Sequence, residues 1–300
     1  MHGEQEPDDD DPAEVDSAPE SADHALRHSL AGVQLKYAVP GDSLTFPASG
    51  EGAWWIAKLP RPGLPDLLLN EYLTMRWLAA AGMNVPSVQL VPASAVGGIP
   101  AGMAGPQDPI YLIKRFDRSV SGRIHIEDFA QVAEVAPAFK HSRSGATYDS
   151  LGGAVLRLLG EAGYYEYVGR LTAMIITGNT DAHLKNWSLI YPDGKTPELS
   201  PLYDFQSLTL YTRYRYAPLA LSLGAEDPSL PSLVVELDNF RVLAENAGAA
   251  ADETVRVVQD AAERLRAAWS GELKAEADSR FPALSRHFAE RLASLPICSA

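Results

Sequence analysis

The sequence predicts an α+β chain of two lobes, a small sheet carrying one helix followed by a larger, mainly helical part. Three observations predict it. Short alternating or apolar runs bounded by Gly, Pro and Ser occupy residues 30–118. Beyond residue 127 the apolar positions recur at helical spacing. Between these regimes and the end of the chain, the oily run "LTAMIIT" opens directly into "NTDAHLKNW" at 179–187, a dense group of polar and titratable side chains. With 300 residues, 46% hydrophobic and 21% charged, there is enough material for two lobes around a shared cleft.

The chain starts with an acidic segment. The formal net charge is −14, but residues 1–24 hold ten Asp or Glu and no Lys or Arg, which leaves 29 acids against 25 bases in the remainder. That segment has almost no aromatic or branched apolar side chains, so it cannot offset its ordering entropy. Residues 1–25 are therefore expected to form a disordered acidic tail whose default role is solubility. The start lacks the basic and apolar pattern of a secretion signal, and no run reaches the roughly 18 apolar residues of a membrane span. Cys298 is the single cysteine, which excludes an internal disulfide or a cysteine metal cage and fits a reducing, cytoplasmic setting. No Lys/Arg cluster supplies the phosphate-neutralising patch that direct nucleic-acid binding needs.

Residues 26–118 read as the small lobe. "HSLAGVQLKYAV" ends in strand-like alternation, and "AWWIAKLP" is a second strand closed by proline. "DLLLNEYLTMRWLAAAG" (66–82) is a helix with Leu68, Met75 and Leu78 on one stripe and Gly82 as its stop. Glu71 falls on that same stripe, a costly place for a carboxylate without a partner. "VPSVQLVP" and "PIYLIKRFDR" are further strands, and residues 114–118 form a hinge. Residues 119–300 make the large lobe. "IEDFAQVA", "SLGGAVLRLLGEA" and "EYVGRLTAMIIT" have helical spacing. "WSLIY" and "ELSPLYDF" are two short strands joined by the turn "PDGKTP", and the stretch from "LPSLVVELDNFRVLAENAG" to "SRHFAERLASL" is helical.

Phosphoryl transfer accounts for the polar loop. That chemistry needs a lysine held by a helix glutamate, an aspartate to orient the attacking hydroxyl, and an Asn and an Asp for magnesium. Asp181 and Asn186 have the Asp-to-Asn spacing of a kinase catalytic loop. Asp204, in "PLYDFQS", is expected to end a strand and to supply a second magnesium carboxylate, and such hard oxygens suit that ion. Lys58 lies on the strand before the helix, and Glu71 acquires a reason if it pairs with it. Any one of these parts recurs by chance; five in the correct order do not. His183 reads as a strut for the loop backbone, because the other histidines show no ligand spacing. Lys185 either helps neutralise a transferring phosphate or faces solvent.

Taken together, "SLAGVQLK", "WIAKLP", "NEYLTMRWLAAAGMNVP", "YLIKRFDR", "HIEDFAQV" and "NTDAHLKNWSLI…LSPLYDF" resemble the HipA family of bacterial Ser/Thr protein kinase toxins of toxin–antitoxin modules, over about residues 26–240. The resemblance implies a two-lobed protein-kinase-like fold that uses ATP and Mg2+. It implies that Ala31, Gly32, Val33, Gln34 and Lys36 belong to the phosphate-covering loop and that Lys58 contacts ATP phosphates. The backbone from Lys114 to Phe116 would hold adenine. Asp181 would be the catalytic base, and Asn186 and Asp204 would hold magnesium. Ser29 matches the family's autophosphorylation serine. The chain departs from the longer family pattern, as only the acidic segment precedes the loop. A short form is therefore expected, with a HipB-like antitoxin and a separate small protein supplying the N-terminal subdomain as partners. The substrate would be a cellular protein; aminoacyl-tRNA synthetases are known substrates in the family.

Two other readings compete. A small-molecule kinase of related fold would place His-x-Asp in the loop, whereas Asn179 and Thr180 precede Asp181. A non-catalytic scaffold would lack one of Lys58, Asp181, Asn186 or Asp204, and all four are present.

Overall fold

The computed structural model describes residues 36–40, 53–60, 64–99, 101–136, 140, 145–224 and 230–299, with backbone alone for 36–40 and residue 53. Four antiparallel strands form the first sheet, in the order β1-β2-β4-β3: β1 Lys36–Pro40, β2 Ala53–Lys58, β3 Val88–Pro92 and β4 Pro109–Lys114. Helix α1, Leu67–Ala80, enters between β2 and β3 and packs on this sheet. It ends where expected, with Gly82 in the left-handed region at φ 81°.

The two faces of this small lobe pack differently. Ala57, Leu59, Ile110 and Leu112 form a cluster of their own with Ala93 and Val96. The opposite side, with Leu68, Leu73, Met75, Trp77 and Leu78 of α1, joins the main core of the helical part. Trp77 is fully buried against Trp269 and Phe288, with ring centroids 4.9 and 4.6 Å away, and its indole N–H donates to the Leu265 carbonyl at 2.8 Å. A buried indole with its one donor satisfied and two aromatic neighbours is a strong anchor. So α1 is held by both lobes.

After a two-residue hairpin, β5 Arg118–Ser119 and β6 Gly122–Arg123, comes β7, His125–Asp128. The helix expected over "IEDFAQVA" is thus shorter than its sequence suggested. Its first residues pair with β8, Ser188–Tyr191, which continues to β9, Glu198–Leu199. Only α2, Phe129–Val132, is helical, started by an Asp128–Gln131 capping box. A distant strand partner overrides a local helical pattern here.

The two expected helices follow as the two halves of α3, Tyr148–Thr177, which meet at a kink at Gly160 (φ 71°, ψ −171°). The glycine supplies a conformation that L residues rarely take. Its second half, from Tyr164, is almost wholly buried and is the axis of the large lobe. Around it pack α4 Leu237–Ala247, α5 Ala251–Ala268, α6 Gly271–Arg280, α7 Pro282–Ser294 and α8 Pro296–Ser299. No helix among the described residues is long and apolar enough to cross a membrane.

Candidate active site

Lys58 is the last residue of β2 and is buried. Its ammonium contacts two carboxylates, Glu71 of α1 and Asp204 from the far side of the cleft. Burial alone would lower the lysine pKa. The carboxylates of Asp204 and Glu71 outweigh that effect and hold it above the usual range, so the lysine stays charged at neutral pH. The Tyr111 ring lies beneath the ammonium, 5.5 Å from centroid to Nζ. Glu71, fully buried on an apolar stripe, has the partner that its position demanded.

In front of Lys58 opens a cavity of about 500 Å³. Ile56 and Ile113 of the sheet, Phe116 of the hinge and Tyr203 of the large lobe give it apolar walls, and Lys58, Arg115, Asp117, Asp128 and Asp204 add charged ones. Lys114 and Lys185 are also at its wall; Glu71, Asp181, His183 and Asn186 are not. The hinge amides are not equivalent. The Lys114 N–H donates to the Ser87 carbonyl at 2.9 Å and the Arg115 N–H to the Trp54 carbonyl at 2.7 Å. Among the described residues the Phe116 and Asp117 N–H groups are the ones outside these hinge backbone hydrogen bonds.

The polar loop leaves α3 through Gly178, in the left-handed region at φ 75°. An added Cβ there would lie 1.9 Å from Thr209 Oγ1 and 3.2 Å from Arg291 Nε. Gly178→Ala is therefore expected to cost roughly 2–4 kcal/mol of stability, from backbone strain and overpacking together. Urea denaturation checks this. Arg291 of α7, buried, secures the same corner: its Nε donates to the Ile176 carbonyl at 2.8 Å, and Nη2 to the carbonyl of Ile175 and, at 3.0 Å, to Ser232 Oγ. Burial lowers its pKa to about 10, still charged at neutral pH, and the last carbonyls of α3 receive that charge.

Within the loop, Asn179 is the central tie. Its Oδ1 accepts from the Asp181 N–H at 3.1 Å, and its Nδ2 donates to the Asp204 carbonyl at 3.3 Å. The His183 N–H donates to the Asp181 carbonyl at 2.8 Å, and the Asn186 N–H to the His183 carbonyl at 2.9 Å. His183 is buried, and its main-chain N–H and C=O both bond within the loop. Asp181 and Asn186 are each half-buried, Asn186 closing a short 3-10 turn, Leu184–Asn186. Lys185 does not face solvent; its Nζ donates to Asp128 Oδ2 at 2.8 Å.

Asp204 does not end a strand. β9 stops at Leu199, and Pro201 has no N–H to continue a ladder. Asp204 itself takes the left-handed conformation, φ 57°, in irregular backbone. Tyr203 fixes its approach: the buried phenol donates to the Lys185 carbonyl at 2.9 Å and shares a 2.5 Å hydrogen bond with Ser188 Oγ, while its ring faces Phe116 at 5.7 Å. Asn179 and Tyr203 thus belong to the site although their sequence positions did not single them out. The Ala31, Gly32, Val33 and Gln34 loop and Ser29 lie outside the described residues, as does the acidic tail, and of Lys36 only the backbone is described.

As a donor set for magnesium, Asn186 and Asp204 offer an amide and a carboxylate oxygen. Among the described residues no group of three or more His, Cys, Asp or Glu is assembled to hold a metal. A hard cation that keeps waters and phosphate oxygens needs only one or two protein carboxylates, so these residues fit it.

A strand lysine held by a helix glutamate, over a cavity between a small sheet and a helical body, defines the two-lobed protein-kinase-like class. The chain belongs to the HipA-like C-terminal domain family, which it matches over residues 28–269. A Sinorhizobium fredii protein named "Putative kinase Y4dM" is 38% identical over 278 residues, covering 91% of this chain and 65% of that protein. "Serine/threonine-protein kinase toxin HipA" of Shewanella oneidensis is 27% identical over 231 residues, covering 68% of this chain and 48% of that protein. The chain thus spans less than two thirds of these relatives' lengths. Among solved structures, HipA of Shewanella oneidensis MR-1, in a complex with HipB and operator DNA, superposes with a TM-score of 0.69 at 20% identity over 90% of this chain and 64% of that one. The Helicobacter pylori proinflammatory kinase CtkA gives 0.56 at 12% identity, over 81% and 85%. These two likenesses carry the fold.

Proposed function

We propose that the protein is an ATP- and Mg2+-dependent Ser/Thr protein kinase, the HipA-like toxin of a toxin–antitoxin module acting in the cytoplasm. The observation that carries this reading is the Lys58–Glu71–Asp204 triad, whose Lys58 and Asp204 line the cavity beside Ile56, Ile113 and Phe116. The cavity suits a nucleoside base against Ile56, Ile113 and Phe116, with the Phe116 N–H as its hydrogen-bond donor. Lys58 then faces the phosphates. Asp181 accepts the proton of the attacking hydroxyl, and Asn186 and Asp204 hold magnesium. Bound there, the ion would neutralise charge on the phosphates. In this reading Lys185, held by Asp128, adds a second cation at the phosphate end.

The family resemblance supplies the rest of the proposal. The Ala31–Lys36 segment covers the phosphates. Ser29 receives a phosphoryl group from ATP, releasing ADP, and the added dianion then competes with ATP for the same donors and silences the enzyme. A HipB-like antitoxin, a small protein in place of the N-terminal subdomain and a cellular protein substrate are its partners.

The direct test incubates the full chain with radiolabelled ATP, magnesium and a bacterial lysate. Label on Ser or Thr of a discrete lysate protein is expected. Label confined to small molecules, or nucleotide binding without transfer, overturns the protein-kinase reading. Intact mass and peptide mapping of the chain itself should find phosphate on Ser29, and Ser29→Ala should stay active under conditions that silence the wild type. Full activity with Ser29 stoichiometrically modified removes the self-inhibition step alone.

A further inference from the structure

Asn70 precedes Glu71 on α1 and is fully buried. Its amide makes a reciprocal pair with the main chain of Ser207: Nδ2 donates to the Ser207 carbonyl at 2.9 Å, and Oδ1 accepts from the Ser207 N–H at 2.8 Å. Because a backbone N–H can only donate and a carbonyl only accept, the orientation of this amide is fixed by its partners. Thr74, one turn on, donates its hydroxyl to the same Oδ1 at 3.2 Å. The pairing imitates one rung of an antiparallel ladder, between a helix side chain and a loop 137 residues away.

The place of that rung matters. Ser207 lies three residues after Asp204, and the next two amides, of Leu208 and Thr209, both donate to the Gly178 carbonyl at the mouth of the candidate catalytic loop. The segment bearing Asp204 is therefore fastened on one side to α3 and on the other to α1. If α1 moved away, the buried Ser207 N–H and C=O would both lose their partners, and unsatisfied buried backbone groups are costly. Lys58 would at the same time lose one of its two carboxylates.

We propose that Asn70 is a positioning residue that locks α1 to the Asp204 segment, keeping Lys58, Glu71 and Asp204 assembled whether or not nucleotide is bound. The role rests on the kinase reading above. It also predicts where control does not act: this kinase is not switched by swinging α1 in and out, as a charge-driven helix movement would require.

The test compares the full chain with Asn70→Ala and with the milder Thr74→Val, which removes only the hydroxyl that steadies the amide. Leu243→Ala, in the core on α4, serves as a control of general destabilisation. Hydrogen exchange of peptides covering 204–209 and 67–80, without nucleotide, is expected to quicken about tenfold or more in Asn70→Ala, and less in Thr74→Val. ATP affinity measured without magnesium should stay near the wild-type value. The magnesium concentration for half-maximal ATP turnover should rise about tenfold in Asn70→Ala and stay unchanged in Leu243→Ala. Unchanged exchange in the two peptides, or a magnesium response that follows thermal stability equally in all variants, overturns the proposal. A wild type that binds no magnesium–nucleotide overturns the kinase reading and this role with it. The exchange data then still decide separately whether the clamp exists.

Discussion

Asp181→Asn is expected to leave the fold intact and to lower phosphoryl transfer by about 10²–10⁴-fold, the range that a positioned general base contributes. The substitution keeps size and shape. It also spares the main-chain bonds that shape the loop, since the Asp181 N–H donates to Asn179 Oδ1 and its carbonyl accepts from the His183 N–H. What it removes is the ability to take up a proton. Nucleotide affinity, measured by calorimetry, should therefore remain near the wild-type value while single-turnover transfer at saturating ATP collapses. Near-wild-type transfer by a folded Asp181→Asn protein would show that the loop's carboxylate is not the base.

Lys58→Met should be the most destabilising single change at the site, by roughly 3–5 kcal/mol, because removing one partner of a buried ion pair strands the other. Glu71 is fully buried, and Asp204 is only partly exposed. Lowering the pH should recover part of the loss, since a protonated Glu71 carries no uncompensated charge. The double variant Lys58→Met/Glu71→Leu should recover more, because apolar groups of similar volume often replace a buried pair without cost. Activity should return in neither case. Equilibrium denaturation of Lys58→Met, Glu71→Leu and the double, at neutral and mildly acidic pH, gives the coupling. Additive losses would mean that Lys58 and Glu71 do not act as a pair.

That pair was legible in the sequence because its signal is an inconsistency: a carboxylate on the stripe of Leu68, Met75 and Leu78 needs a reason, and the preceding strand offers Lys58. The strands of the first sheet and the Asp181–Asn186 spacing were legible too, being set by local alternation and by separation along the chain. Asn70, Tyr203 and Arg291 were not. Each is a polar residue at least partly buried that bonds to backbone groups well removed along the chain, and such partners leave no periodicity to read. Asn179 stood in plain view within "NTDAHLKNW", but its task, tying the Asp181 N–H to the Asp204 carbonyl, depends on a segment 25 residues on. The setting of Asp204 was not legible either. An aspartate after "PLY" resembles a strand end, and only the tertiary contacts of Tyr203 and Ser207 reveal the left-handed turn. The strand β7 was hidden for the opposite reason, a short local helix pattern beside a remote pairing partner.

The corner at Gly178 also places the protein in time. The carbonyl of Ile176 leaves the ribosome 115 residues ahead of the guanidinium of Arg291 that secures it. At usual elongation rates that gap lasts roughly 6–23 s. Over most of the same interval Trp77 waits for Trp269 and Phe288, so α1 lacks its aromatic anchor while the helical lobe is unfinished. A nascent chain therefore holds every residue of the triad well before it can keep them in register. The Gly178 corner is therefore closed late in translation, when α7 emerges.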